Sequence, residues 1–397
     1  MKKWYLVILL VLGLVGYYGL AQAVIGPCAD CHTMHASQSP WDTTGWSSGV
    51  EGNPQSFLLG FAYGTSTSSA CIACHSGSSS NPIKTLPGGS KVPVVFFTDS
   101  SPSGQGPGVT LAGGNFCWVS KDVGSQEDTK GHNVEGLADQ DSVLGTYDPP
   151  GWDPDYTSGF TFGQVTGGNN STWSQQLTCA GTYGCHGFHT DKGIGGSHHN
   201  NKGSVPATSY GVVPATGTDN CGGYYRFLAN IEGGEAGDWE NAASSGSHNE
   251  YKGANVTSNR NVEDPSAPPS DQTTISYLCA ECHGVFHSRI SDQTTPATPF
   301  LRHPTDTLLP TSSEPASDEY NSYTSYSILA PVARTTIPDS PSSDVTPGTD
   351  IVMCLSCHRA HGSPEPDLLR WDYDGCVAGT NNANCGCFVC HTKKDAD

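Results

Sequence analysis

Basic residues are scarce in this sequence. Only 18 Lys and Arg stand against 38 Asp and Glu, for a formal net charge of −20, which repels a phosphate backbone and excludes nucleic acid as a partner. Apolar residues are scarce as well: they make up 35% of 397 residues, while Gly and Pro number 48 and 27. An aliphatic core that thin does not organise a chain of this length, so something else must hold it together. Also missing are a Gly-rich phosphate loop, a Ser-His-Asp set and a paired general acid and base, which leaves the common hydrolase and nucleotide-using chemistries without a footing.

The one long apolar run, from Trp4 to about Ala21, follows Lys2 and Lys3 and leads into "AQA" ending at Ala23. That order reads as a secretory signal peptide over residues 1–23, leaving residues 24–397 as a single domain. The run is also just long enough to stay as an uncleaved membrane anchor. A lipid anchor does not fit, because "VIGP" before Cys28 is no lipobox. Loss of Lys2 and Lys3 moves the net charge from −20 to −22. Export implies a secreted, extracellular or cell-surface location, with no membrane contact beyond the signal peptide, in an oxidising setting where spare thiols pair.

What the chain has in quantity is cysteine. Its 16 cysteines fall mostly into CxxCH boxes: Cys28, Cys31 and His32; Cys71, Cys74 and His75; Cys279, Cys282 and His283; Cys354, Cys357 and His358; Cys387, Cys390 and His391. In such a box two thiols form thioethers with the haem vinyl groups, and the histidine directly after the second cysteine ligates the iron. Zinc half-sites have no reason to repeat that histidine, and a redox dithiol comes once per domain. A further site is irregular: Cys179 and Cys185 are separated by five residues, with His186 following. If the extra residues loop out, this is a sixth haem c site. The alternative is a single thioether at Cys185 with Cys179 in a disulfide.

Six haems leave Cys117, Cys221, Cys376 and Cys385. Cys376 and Cys385 flank a short polar loop that a disulfide closes, and elimination then pairs Cys117 with Cys221.

Of 15 histidines, six are proximal ligands, and the nine others are His35, His132, His189, His198, His199, His248, His287, His303 and His361. Every iron can therefore have two histidines. His35, His189 and His361 lie three residues past a proximal histidine and His287 lies four past one. A link that short spans only about 10 to 14 Å, too little to pass around a porphyrin to its other face. Each such histidine is expected to reach a different iron, although a solvated side chain beside a haem is the alternative. His132 and His303, in otherwise haem-free segments, are the best placed for the two remaining distal positions, with His198 or His199 in reserve. His198, His199 and His248 lie in polar Gly-Ser-rich stretches and read as surface loop.

The expected fold is that of a multihaem cytochrome c, mostly irregular, with short helices and few short strands wrapped around a stacked chain of haems. Residues 76–178 and 190–278 read as short strands and turns. Brief helices are expected around "CHRAH" and "GDWENAASS". The Ser-, Thr- and Pro-rich span 291–350 reads as an exposed loop open to glycosylation, with sequons at Asn169, Asn170 and Asn255. Asp148, Asp153 and Asp155 form an acidic cluster that reads as solvated, with calcium as the alternative.

With the boxes in order, the chain resembles the filament-forming hexahaem outer-surface cytochromes of metal-reducing bacteria. The resemblance rests on "CADCHTMHAS", "GGNFCWV", "KGHNV", a CH-x-x-H site, "CAECHGVFHS" followed by "LRHP", and "CLSCHRAHGS", in that order. It implies haems with two histidine ligands, stacked in parallel and T-shaped pairs through a helical filament of identical subunits that conducts electrons outside the cell. It further implies that the histidine at His35 ligates a haem of the adjacent subunit, the one at His358, and that His132, His189, His287, His303 and His361 fill the other distal positions. The widened third site and the four extra cysteines depart from the pattern. A discrete monomeric periplasmic or surface electron carrier is the alternative, working with redox partner proteins or extracellular acceptors. A multihaem reductase needs an open iron, often marked by an unusual proximal residue, and none of the boxes has one; the chain is not expected to be an enzyme.

Overall fold

Chains this rich in Gly and Pro make short elements, because Gly raises the entropy cost of regular structure and Pro removes a backbone donor. The computed structural model describes residues 71–72, 74–86, 89–152, 173, 175–181, 183–187, 212–213, 225–228, 230–255, 271–287, 303–311, 319–320 and 322–394. The signal segment, Cys28, Cys31, His32, His35, His189, His198, His199, Cys221, Asp153, Asp155, Asn169 and Asn170 lie outside the described residues.

Strands are two or three residues long. β1 (Ser76–Gly77) pairs in parallel with β4 (Phe96–Phe97), and β2 (Ile83–Thr85) pairs antiparallel with β3 (Lys91–Pro93). β5 (Thr178–Ala180) and β6 (Gly184–His186) run in parallel. β7 (Val212–Val213), β8 (Gly233–Gly234) and β9 (Glu250–Tyr251) form a three-stranded antiparallel sheet, and β10 (Thr307–Leu308) pairs antiparallel with β11 (Ile351–Val352). Helices are equally brief: α1 (Ile275–Ala280), α2 (Gly284–His287) and α3 (Gly386–Cys390), with single 3-10 turns between them.

Apolar side chains gather in small clusters rather than one core, and each of the main clusters leans on an attachment box. Tyr225, Ile231, Tyr251, Ile351 and Met353 pack with Leu278 and Leu355 beside the fourth and fifth boxes. Phe96, Phe116, Val119 and Leu137 pack with Ile72 and Cys179. Leu309, Tyr323, Tyr326 and Val332 pack with Val389 and Cys390.

Three readings of the sequence are corrected. Within the span 291–350, residues 323–350 are not an exposed loop: Tyr323, Tyr326, Val332, Ala333 and Val345 are buried, and the intervening Ser and Pro make the turns that bring them inward. "GDWENAASS" forms turns, with Trp239 and Glu240 at positive φ, a conformation a helix cannot contain. Around "CHRAH" there is one 3-10 turn, Cys354–Ser356, after which His358 bridges antiparallel to Leu369.

Candidate haem centres

The attachment boxes are built on a common turn. The amide of His283 donates to the carbonyl of Cys279 (2.9 Å), that of His358 to Cys354 (3.1 Å) and that of His391 to Cys387 (2.8 Å). This i to i−4 bond sets each imidazole one helical turn beyond the first thiol of its box. Thr274 caps α1 by accepting from the amide of Tyr277 (3.0 Å), with Ile275 and Tyr277 buried behind it. In α3, Gly386 leaves room for the Trp371 ring, which a Cβ would meet at 2.2 Å.

The widened third box solves the spacing differently. In the β5–β6 register Thr178 faces Gly184 and Ala180 faces His186, so Cys179 and Cys185 lie abreast on adjacent strands. The extra residues loop out between them, and neither cysteine is in a disulfide.

Consecutive boxes are neighbours in space. The thiols of Cys71 and Cys179 hydrogen-bond, as do those of Cys279 and Cys354. Cys185 lies within electrostatic range of Cys279 and Cys282, and Cys357 within range of Cys387 and Cys390. From Cys71 onward the boxes thus follow one another in sequence order. Burial keeps the thiols protonated, pushing Cys185 up to about 11 and Cys357 and Cys390 to about 12.

The histidines share a tautomer. Nδ1 donates to a backbone carbonyl in His75 (Pro93, 2.9 Å), His132 (Ala360, 2.7 Å), His186 (Arg226, 3.2 Å), His283 (Pro150, 2.6 Å), His303 (Pro304, 2.8 Å) and His358 (Asp367, 2.7 Å). A carbonyl can only accept, so the proton sits on Nδ1 and the Nε2 lone pair is left for a metal. His391 has a different partner, the carboxylate of Glu319 at 2.8 Å.

Three pairs of these rings face one another: His132 and His283 with centroids 6.1 Å apart, His186 and His361 at 6.4 Å, and His303 and His391 at 6.3 Å. Two imidazoles on opposite faces of one metal, each bonded at roughly 2 Å, place their centroids roughly 6 Å apart. The residues therefore fit haem c, with two thiols in each box and an imidazole on either side of an iron. Each pair joins a box histidine to one of the histidines expected as distal.

His132 and His361 arise from one junction of three loops. The His361 amide donates to the Gly113 carbonyl (2.8 Å), the His132 amide to the His361 carbonyl (3.2 Å) and the Asn115 amide to the Gly362 carbonyl (3.1 Å). The approach requires glycine: a Cβ on Gly114 would lie 1.9 Å from the Gly362 carbonyl oxygen, and one on Gly362 would lie 2.6 Å from that of Asn115. "GGNFCWV", "KGHNV" and "CHRAHGS" thus meet at a single point. Arg359 ties the junction down, donating to Gln105 (2.9 Å) and to the carbonyl of Ala112 (2.8 Å).

Among the described residues no second histidine ring stands opposite His358, which is exposed. His287 closes α2. Burial pushes His361 down to about 3 and His186 and His283 to about 4, and lowers His75 and His132 as well. All five rings are thus held neutral, as metal ligation requires.

His248 is not a surface residue. It is fully buried, stacks on Tyr326 at 3.5 Å, and places Nδ1 on the Ser244 carbonyl (3.1 Å) and Nε2 on Glu250 (3.2 Å). Both nitrogens are used, so no lone pair remains for a metal. Glu250 also binds Arg334 (3.2 Å), which reaches Asp350 on its other side.

A disulfide joins Cys376 and Cys385, with the thiol of Cys387 close by. Cys117 is a free thiol, and its expected bridge to Cys221 is not made. It is wholly buried against Val94, Phe97 and Trp118, where it behaves as a small apolar side chain. The carbonyl partners of the histidines escaped sequence reasoning, since every residue carries such a group; Glu319 escaped it because its bond to His391 spans distant segments.

Residues 347–396 match a family described as the doubled CXXCH motif. The chain is 25% identical to C-type cytochrome OmcS of Geobacter sulfurreducens (strain ATCC 51573 / DSM 12127 / PCA) over 390 residues, covering 88% of this chain and 79% of that protein. Two solved structures are similar. One is the Outer Membrane Cytochrome S Filament from Geobacter sulfurreducens, at 19% identity and TM-score 0.39 over 89% of this chain and 85% of that one. The other is the Cryo-EM structure of the OmcS nanowires from the same organism, at 18% identity and TM-score 0.42 over 95% and 96%. The repeated boxes and a sequence relationship that runs along most of the chain make it similar to the C-type cytochrome OmcS.

Proposed function

We propose that this chain carries electrons outside the cell through six haems c, each held between two histidines, as one subunit of a filament of identical copies. The observation that carries the reading is the set of three facing histidine pairs, spaced 6.1 to 6.4 Å between centroids, beside boxes that adjoin in sequence order. When bound, haem c supplies the iron that changes oxidation state. The chain's own residues do the rest: the cysteines fix position, and the backbone carbonyls hold the Nδ1 proton of most of the histidines so that Nε2 is left for the metal. An iron closed on both faces has no vacancy for a substrate, which supports a carrier over an enzyme.

His358 lacks a facing ring among the described residues. His35, whose place in the sequence resembles that of a ligand donated between subunits, is the proposed donor to this iron from an adjacent copy. His189 and His287 are left for the irons at His32 and His75. The test is His35→Ala. A filament held by that ligand loses assembly in electron micrographs of native material, whereas intact filaments, or wild-type protein that is only monomeric, reduce the reading to a discrete carrier. The haem count by pyridine assay should be six; a count of five removes Cys185 and His186 from the ligand set.

A further inference from the structure

The three facing pairs differ in what stands behind them. His132 and His283 both donate Nδ1 to carbonyls, as does His303. His186 does so weakly, at 3.2 Å. His361 Nδ1 is buried and makes no hydrogen bond of good geometry, its backbone neighbour at Gly114 offering a weak contact at most. Arg226 also lies within electrostatic range of both rings of that pair. His391 alone among the described ring pairs donates to a carboxylate, Glu319 Oε1 at 2.8 Å.

Glu319 is placed for this role. Its own carbonyl accepts from the amide of Thr392 (2.7 Å), which ties it to the residue after the ligand. Its side chain is 15% exposed, so solvent screens it little, and among the described residues its cationic neighbour is Lys394 at 3.7 Å, itself 55% exposed. A carboxylate that pulls on the Nδ1 proton gives the imidazole anionic character and makes it a stronger donor to the metal. The oxidised iron, with one more positive charge, gains more from that donation than the reduced iron. A carbonyl dipole exerts the same pull more weakly, and an unpartnered Nδ1 beside a guanidinium exerts none.

We propose that Glu319 is a positioning residue that sets the reduction potential of the iron between His391 and His303, and holds it below the potentials of the other two facing pairs. The proposal rests on the axial pairing put forward above. It makes the C-terminal haem the most reducing of the three and the one between His186 and His361 the least.

The geometry also labels the iron in question. The planes of His303 and His391 cross at 88°, whereas the other pairs cross at 46° and 42°. Perpendicular imidazoles act equally on the two metal orbitals that lie along the ligand axis. Those orbitals stay nearly degenerate, and the low-spin ferric signal becomes strongly anisotropic in electron paramagnetic resonance. Rings closer to parallel separate the orbitals and give an ordinary rhombic signal.

The experiment is a redox titration of the full holoprotein followed by that resonance. The anisotropic signal is expected to outlast at least two of the rhombic signals on reduction. In Glu319→Gln, which keeps an acceptor and drops the charge, it should be lost earlier by about tenfold in the reduction equilibrium, which is about 59 mV for one electron, with its shape and the haem count unchanged. Lys394→Gln, which removes the counter-charge, should shift it the opposite way by less. A merely structural role for Glu319 would change the haem count or the line shape and leave the potential in place. Loss of the anisotropic signal before two of the rhombic ones have gone overturns the proposal, as does an unshifted Glu319→Gln. Should that variant fail to load haem, the wild-type order and Lys394→Gln still decide. Absence of any anisotropic signal in the wild type overturns the axial pairing itself, a separate failure that takes the Glu319 assignment with it.

Discussion

The regions around His248 and His361 both bury an imidazole nitrogen, and they solve the problem in opposite ways. Around His248 the protein is complete by itself: both ring nitrogens have acceptors, and Arg334 bridges the carboxylates of Glu250 and Asp350 beside it. Around His361 the protein is incomplete: Nδ1 makes no hydrogen bond of good geometry, and the ring looks across 6.4 Å at His186. A buried polar group without a partner costs free energy, so a site that leaves several open is built for something that completes it. Composition misleads here, because His248 has the more polar neighbours in sequence and yet is the structural one.

The comparison can be broken most directly with His361→Ala. One iron should lose its second imidazole outright, and the ferric protein should gain a high-spin band from a single haem while the others stay low-spin; an unchanged spectrum would place His361 among structural histidines. Next in size is Glu250→Ala, which strips the carboxylate from Arg334, His248 and the amide of Ser342. Removing one partner of a buried ion pair costs on the order of 3–5 kcal/mol, so denaturant unfolding of the holoprotein should shift by that amount with the haem spectrum intact. The smallest effect is expected from His248→Phe, which keeps the stack on Tyr326 and gives up two hydrogen bonds, for a loss of about 1–3 kcal/mol. Its haem count and spin state should match the wild type; a high-spin band from this variant would reverse the roles assigned to the two histidines.

Much of the centre was legible in the sequence because thioether attachment is local. A CxxCH box declares its thiols and its proximal ligand within five residues, and a histidine three residues further on cannot turn back to the same iron. His132 and His303 were proposed as distal ligands by subtraction, with flanking Gly131 and Pro304 as the only local support. The buried half of the Ser-, Thr- and Pro-rich span was not legible, since Tyr323, Tyr326 and Val332 are spaced by turns rather than by any helix or strand period. Nor was Cys117, whose apolar pocket is assembled from Val94, Phe97 and Trp118 by the meeting of β4 with the turn held by Asn115.

By itself, then, the sequence determined the expected chemistry: which thiols stand in attachment boxes, which histidine follows them, and that enough further histidines exist to offer each box a second ligand. Only the tertiary structure decided who faces whom. His361 meets His186 and His132 meets His283 because three glycine-bearing loops converge where no side chain fits, and His391 differs from the others because a carboxylate from a separate segment lies within 2.8 Å of it. Ligand identity is written in covalent spacing, whereas ligand pairing and the acceptor behind each ring depend on contacts between segments far apart in the chain.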